Sequence, residues 1–514
     1  KATWWERLFG GSGAPGQMER LEGGNPHSRR LAAIPSNTVA INALISMYGR
    51  TVIGRSRYLC TNNPYAVSAK EQWVASLAGH GIKPSSLITD RESKKALQAL
   101  WLAWTDEADW DGLLDFYGLQ GLIASELFEA GECFVRFRAA PENATVPFRL
   151  QVLPTEMLPY QGDKTASNGN VIEMGIEFDS QGKRVAYHFY EEHPGDMLNR
   201  RSGRIIRVPA DEVLHLYRPL RAGQLRGIPQ SIASMVRLAM LDLYDDAELE
   251  RKRTTALFAA FVTKPAIDDE DGDHPLGIPV PGGPLANASS GDQISMESGA
   301  IIDLNPGEEI NFSQPADVGT SYDPFQYRTL LQIAAGFGVP YSGMTGDLTR
   351  ANYGSIRAGE LSHRRRVSAY QHNVMVFQLC RPVWQRFLRI ATAIGSAPWS
   401  PTEYINDTVA LTAVKWIPPK WEWVDPLKDR QAEKLAVDNG FKSRSDVIEE
   451  EGYDPEELDD RIAADQARAD ELGLRLAQPD TGEDIINVDE NDENDERNDD
   501  EGQRRPPREG EDDE

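Results

Sequence analysis

Seven prolines, at 265, 275, 279, 281, 284, 306 and 315, and the pair Gly282-Gly283 fall between residues 264 and 318. A proline inside a helix removes a backbone hydrogen bond and clashes with the preceding turn, so no long helix crosses this stretch. Helical patterns stand on both sides of it. Residues 229–263 carry Ile232, Val236, Ala239, Leu243 and Ala247 as one apolar stripe, with Asp242, Asp246, Glu250 and Arg253 on the other face. Beyond the break, Asp323-Pro324 pairs an N-cap with a first-turn proline, and the pattern stops at Gly336–Gly338. Two helices thus flank an irregular insertion, in which Ile301–Leu304 and Glu309–Phe312 read as short strands.

The remainder reads as α+β. Residues 10–28 are rich in Gly, Ser and Pro and predict a flexible arm. A helix is expected over 31–50 and mainly helical structure over 64–138, where Leu97, Leu100, Trp101 and Trp104 recur at helical spacing, as do Leu119, Leu122, Ile123 and Leu127. Strand-like runs follow at Cys133–Arg138, Phe148–Leu153, Glu173–Phe178, Val185–Tyr190 and Val213–Tyr217, with Asp179-Ser-Gln-Gly182 as a hairpin turn. A long helix over 356–394 keeps Val367, Tyr370, Val374, Phe377, Trp384, Leu388 and Ala391 on one face, and Pro382 predicts a kink in it. After irregular or β structure over 395–424, Asp425-Pro426 and Asp454-Pro455 start further helices.

Net charge is −26, from 54 Lys+Arg against 80 Asp+Glu. A chain that grips phosphates would lean basic, so DNA meeting this one is guided past rather than held. Residues from Asp480 onward hold 17 acids and 4 arginines, half of the net charge; such a tail cannot bury enough apolar surface to order itself. The three cysteines, Cys60, Cys133 and Cys380, are far apart and predict no disulfide framework and a reducing compartment. No signal peptide is seen, and the polar residues within Leu31–Gly49 exclude a membrane span there.

Known catalytic signatures are missing. The one Gly-Lys pair, Gly182-Lys183, is followed by Arg184, so the phosphate-cradling loop of a packaging ATPase fails, and with it the large terminase subunit as a reading. No catalytic residue, cofactor or metal is expected. His188 and His193, which flank Glu191-Glu192, read as a solvated strand end before they read as metal ligands.

Several stretches, in order, resemble the lambda-type family of phage portal proteins. They are Asn62-Asn-Pro-Tyr-Ala66, Gly81-Ile-Lys-Pro84, Gly131-Glu-Cys-Phe-Val-Arg136, Val208-Pro-Ala-Asp-Glu-Val-Leu-His-Leu-Tyr-Arg-Pro219 and Arg226-Gly-Ile-Pro229, then Leu304-Asn-Pro-Gly-Glu308, Gly338-Val-Pro-Tyr-Ser-Gly-Met-Thr-Gly-Asp-Leu348, Asn352-Tyr-Gly-Ser-Ile-Arg-Ala-Gly359 and Trp423-Val-Asp-Pro-Leu-Lys428. They span roughly residues 40–460; the acidic tail departs from the family. The resemblance implies a portal-type α+β fold. An arm at 1–29 precedes a wing at 30–228. Stem helices at 229–263 and 319–337 flank a clip at 264–318. A channel loop at 338–355 leads to a long kinked helix and wing return at 356–424, a helical crown at 425–478 and a disordered tail at 479–514.

It further implies a ring of about twelve copies closed by head-to-tail contacts. Its partners would be the terminase large subunit, the head–tail connector, the major capsid or scaffolding protein, and double-stranded DNA passing without sequence-specific contacts. No membrane is involved. The ring would sit at one vertex of the virion after assembly in the host cytoplasm. The remaining alternative is another capsid or neck protein without a portal role. In the channel loop, Tyr341, Met344, Asp347, Arg350, Asn352 and Tyr353 are the residues placed to meet DNA; a buried interhelical turn is the competing reading. Arg364, Arg365 and Arg366 face phosphates or the acids of a neighbouring copy.

Overall fold

In the computed structural model, residues 38–162, 164–196, 203–257, 261–263, 309–311, 322–350, 353–421 and 426–474 are described. The arm, most of the clip and the tail lie outside them. The first compact unit ends at Tyr453, and the second starts at Asp454.

The first unit opens with α1 (Ile41–Asn62) and α2 (Pro64–Leu77), so the first helix lies further along the chain than the 31–50 expected. Asn63 separates the two. Its side-chain oxygen accepts from the backbone N–H of Tyr65 and of Ala66, and Pro64 takes the first helical position, where its missing N–H costs nothing. Then come β1 (Lys83–Ser86), α3 (Arg91–Thr105) and α4 (Phe116–Glu129), the helices capped by Asp90 and Asp115. Strands β2 (Glu132–Ala139) and β3 (Phe148–Leu153) form an antiparallel sheet with a later strand. A five-stranded antiparallel sheet follows: β4 (Lys164–Thr165), β5 (Val171–Glu173), β6 (Ile176–Phe178), β7 (Arg184–Tyr190) and β8 (Ile205–Pro209). The single run expected over Glu173–Phe178 is two strands. Met174 and Gly175, at φ 47° and 80°, make a two-residue hairpin turn between them. Strand β9 (Val213–Tyr217) then pairs with β2.

Helix α5 spans Met235–Leu257, shorter than the 229–263 expected; its start is preceded by a 3-10 turn at Gln230–Ala233 and the chain has become strand by Phe261. There β10 (Phe261–Thr263) pairs antiparallel with β11 (Glu309–Asn311). Helix α5 buries Met235, Leu238 and Leu241, while Val236 and Leu243 of the anticipated stripe face outward, as does Met240 beside them. Next are α6 (Tyr322–Phe337), α7 (Tyr341–Thr345) and α8 (Tyr353–Tyr370), then π-type turns over Gln371–Cys380 and α9 (Arg381–Ala393). Pro382, expected to kink this helix, directly follows the widened turns, which make room for its ring. Short α10 (Pro401–Asn406) and α11 (Thr408–Thr412) lead to β12 (Val414–Ile417), which pairs with β1 and so returns the chain to its beginning. Helices α12 (Pro426–Asp438) and α13 (Arg444–Glu450) complete the unit. In the second unit the described helix is α14 (Pro455–Glu471), capped by Asp454.

The main core joins α2, α3, α4, α6 and the long helix through Trp73, Trp101, Trp104, Phe116, Phe128, Phe337 and Phe387. Trp101 meets Phe116, Trp384 and Phe387 edge-on at 5.0–5.3 Å, the geometry that aromatic quadrupoles favour. A second core, with Phe134, Ile176, Tyr187 and Phe189, lies between the two larger sheets.

Charged side chains fasten these layers. Arg57 on α1 donates to Glu126 at 2.8 Å, Glu129 at 2.9 Å and Glu156 at 2.5 Å, and Lys70 of α2 reaches Glu129 at 2.9 Å. Deeper still, Glu132 is fully buried. It accepts from Arg226 at 2.6 Å, the Gly227 N–H at 2.7 Å, His215 at 3.0 Å and the Tyr160 hydroxyl at 3.2 Å. Burial acts to raise its pKa, but Arg226 and His215 overcome that and hold it at about 2. Burial also lowers His215, to about 4 against the pull of Glu132, so the ring is neutral.

This network brings together the segments Gly131–Arg136 and Arg226–Pro229. Their approach needs glycine: a Cβ on Gly131, at φ +80°, would sit 2.0 Å from the Ile228 carbonyl carbon. Gly131→Ala is expected to lose about 2–4 kcal/mol in urea unfolding, whereas Gly54→Ala, inside α1 with open space around it, is expected to gain about 0.5–1 kcal/mol.

Candidate functional site

Gly338, at φ +79°, ends α6, and Pro340 starts α7. This short helix packs on α2. The Ser68 hydroxyl donates to the Gly343 carbonyl at 3.3 Å, and Met344 is 1% exposed. Met344 is therefore a core residue; its side chain is spent on packing and is not presented to a ligand. Gly346, left-handed at φ +71°, closes α7 and turns the chain outward.

Over Gly346–Arg350 the chain is at the surface, with Leu348 57% exposed, yet it is braced. One Asp347 oxygen accepts from the Thr349 N–H at 2.9 Å and hydroxyl at 2.6 Å, and the other accepts from the Tyr341 hydroxyl at 3.0 Å. The Thr349 bonds hold the Asp347 carboxyl below its ordinary value. Burial, and then the Asp347 carboxylate, push Tyr341 up to about 12, so its hydroxyl stays protonated and donates. Arg350 pairs with Asp323 on α6 and lies 4.3 Å over the Tyr327 ring, which meets Tyr341 edge-on at 5.0 Å. Asp323 and Tyr327 were missed as parts of this site: their partners lie on the far side of a turn that no helical periodicity spans. Asn352 lies outside the described residues. Tyr353 is the first residue of α8.

A cleft of about 390 Å³ opens between α6, α7 and α8, lined by Tyr327, Tyr341, Asp347, Arg350, His363 and Arg366 among others. The three consecutive arginines diverge, as neighbours on a helix must. Arg364 lies over the Trp421 ring at 5.3 Å, Arg365 is exposed, and Arg366 turns back to Gly338 and the cleft. They form no single phosphate claw.

His188 and Arg207 both bind Glu177, at 2.9 and 2.7 Å, so His188 has a structural partner. Among the described residues no group of three or more His, Cys, Asp or Glu side chains is placed to hold a metal ion. No described helix is long and apolar enough to cross a membrane.

Helices on antiparallel sheets, among them the helices Met235–Leu257 and Tyr322–Phe337, make this a large α+β protein. The chain belongs to the lambda family of phage portal proteins, whose family model matches residues 27–371. It is 27% identical over 440 residues to the probable portal protein of Halomonas phage phiHAP-1, covering 82% of this chain and 81% of that one. It is 23% identical over 484 residues to portal protein B of Escherichia phage lambda, covering 87% of each. A chain from the neck of an empty GTA particle aligns at TM-score 0.40 and 16% identity, over 83% of this chain and 98% of that chain. The family match carries the portal reading over a capsid or neck protein of another kind.

Proposed function

We propose that this chain assembles into a closed, non-enzymatic ring of about twelve copies at one capsid vertex, through which double-stranded DNA is packaged and later ejected. The observation that carries this reading is the family match over residues 27–371. The acidic balance suits a passage: a wall of net negative charge repels phosphates, so DNA slides without sticking. The insertion 264–318 serves as the clip that docks the terminase large subunit during packaging and the head–tail connector afterwards. Crown helices face the capsid interior, where the capsid or scaffolding protein surrounds the ring. Residues 346–350 line the channel, with Asp347 and Arg350 offering opposite charges and no strong net attraction. The assembly forms in the host cytoplasm and ends in the virion.

Negative-stain images and native mass spectra of the purified chain are expected to show closed rings, and ATP turnover is expected at background. Monomers and dimers alone would sink the ring reading, and measurable ATP turnover would favour a motor.

A further inference from the structure

Two helices of this chain carry exposed ridges of matching spacing and opposite charge. On α5, Val236, Met240, Leu243 and Ala247 follow one another at intervals of four, three and four residues; the three large side chains are 74%, 62% and 64% exposed. On α1, Met47, Thr51, Gly54 and Tyr58 repeat the same intervals, with Met47 64% and Tyr58 66% exposed. At 3.6 residues per turn each set is one continuous line about 17 Å long. Apolar side chains standing in line on a soluble chain mark a contact surface.

The flanks differ in sign. Arg50 and Arg55 border the α1 ridge, and both are exposed. The α5 ridge is bordered on one side by exposed Asp246 and Glu250, the latter 3.8 Å from the largely exposed Arg253; Arg237 lies on the other side. Gly54 leaves a notch: nothing lies within 4 Å of where its Cβ would be. One chain thus presents two unlike, complementary faces, the requirement for a head-to-tail contact that repeats around a ring.

We infer that the α5 ridge of one copy packs against the α1 ridge of the next, with Leu243 opposite the Gly54 notch and Asp246 and Glu250 beside Arg50 and Arg55. This rests on the ring reading above and names the surface that closes it. The occupant is a second copy of this chain because the complement, in spacing and charge, stands on the chain itself.

The test uses two full-length variants, Gly54→Cys and Leu243→Cys, both at exposed positions. The native Cys60, Cys133 and Cys380 are buried, and burial raises all three thiols above their ordinary value, so they stay silent under mild oxidation. Mixed before assembly and oxidised, the two variants are expected to give at least about tenfold more covalent dimer than either alone, since neighbours in a ring hold the thiols at millimolar effective concentration. A chain carrying both changes is expected to give a ladder of covalent multimers. Dimers from either single variant alone would mean two-fold pairing and overturn the proposal.

Rings seen by microscopy with no cross-link in the mixture would overturn it while leaving the ring reading intact. That is also the outcome if a scaffolding-type partner or the chain's own N-terminal segment covers these ridges. As a second arm, Asp246→Arg with Glu250→Arg is expected to cut the ring fraction by about tenfold, and adding Arg50→Glu with Arg55→Glu to restore it. Loss without restoration would reject the pairing.

Discussion

Glu132→Ala is expected to destabilise the first unit by about 3–5 kcal/mol, measured as a fall in the urea midpoint followed by circular dichroism. The carboxylate is fully buried and receives Arg226, His215, Tyr160 and the Gly227 N–H. Its removal leaves the Arg226 guanidinium in the core with the carbonyl oxygens of Thr155, Leu158, Pro159 and Met174 and the faces of Tyr160 and Phe134, but without its carboxylate. A buried charge with no counter-charge is the costly case, more so than loss of the pair as a whole. The double change Glu132→Leu with Arg226→Met should therefore cost less than the sum of the singles. A single change that costs under about 1 kcal/mol would show the network to be incidental.

Acid should act through the same residues. Glu132 is depressed to about 2 from 4.5, so its contribution is full above 4.5 and is lost as pH falls towards 2. His215 is depressed to about 4 from 6.5, so the unfolded chain takes up that proton first and stability declines from pH 6.5 down to 4. Both terms have the same sign. The wild-type melting temperature should fall on acidification below pH 6.5, and Glu132→Ala should flatten the part below pH 4.5.

The second large effect is expected from replacing Gly346–Arg350 with a two-residue Gly-Ser link. Rings should assemble at the normal level and melt near the normal temperature, while capsids carrying them lose most of their packaged DNA. The cut spares α7, whose Met344 is in the core, and removes the braced surface turn built on Asp347 and Arg350. Met344→Ala is the contrast: it should cost about 2–4 kcal/mol and impair the fold itself. Shortened rings that package and hold DNA normally would reject a channel role for these residues. Failure to assemble would show that the turn is structural.

How much of this was legible depended on how local the signal was. Helices α3 and α4 could be read from apolar spacing and the start of α14 from the cap at Asp454, because a cap and its partner lie within three residues. The β5–β6 turn could not, because Met174-Gly175 lacks the Asn or Asp that usually marks such a hairpin. The α5 stripe was visible as a pattern, but periodicity does not say whether an apolar face meets the chain's own core or another surface. The site divided likewise. Tyr341 and Asp347, six residues apart, were singled out together, yet Met344 between them could not be assigned to core or surface without its neighbour α2. Glu132, His215 and Arg226 all lay in stretches that carried the family resemblance, but they are 83 and 94 residues apart, and nothing local marks them as partners.

The cluster around Arg57 bears on how the molecule resists a pull. Apolar packing is non-directional, so a helix held by it alone can slide along its axis at little cost. Arg57 instead reaches from α1 to two carboxylates on α4 and a third, Glu156, just after β3, through bonds with fixed geometry. Axial displacement of α1 by even half a turn would break all three attachments at once. Force applied to that helix is therefore shared by shear with α4 and the turn after β3, and the helix yields only when the whole junction does.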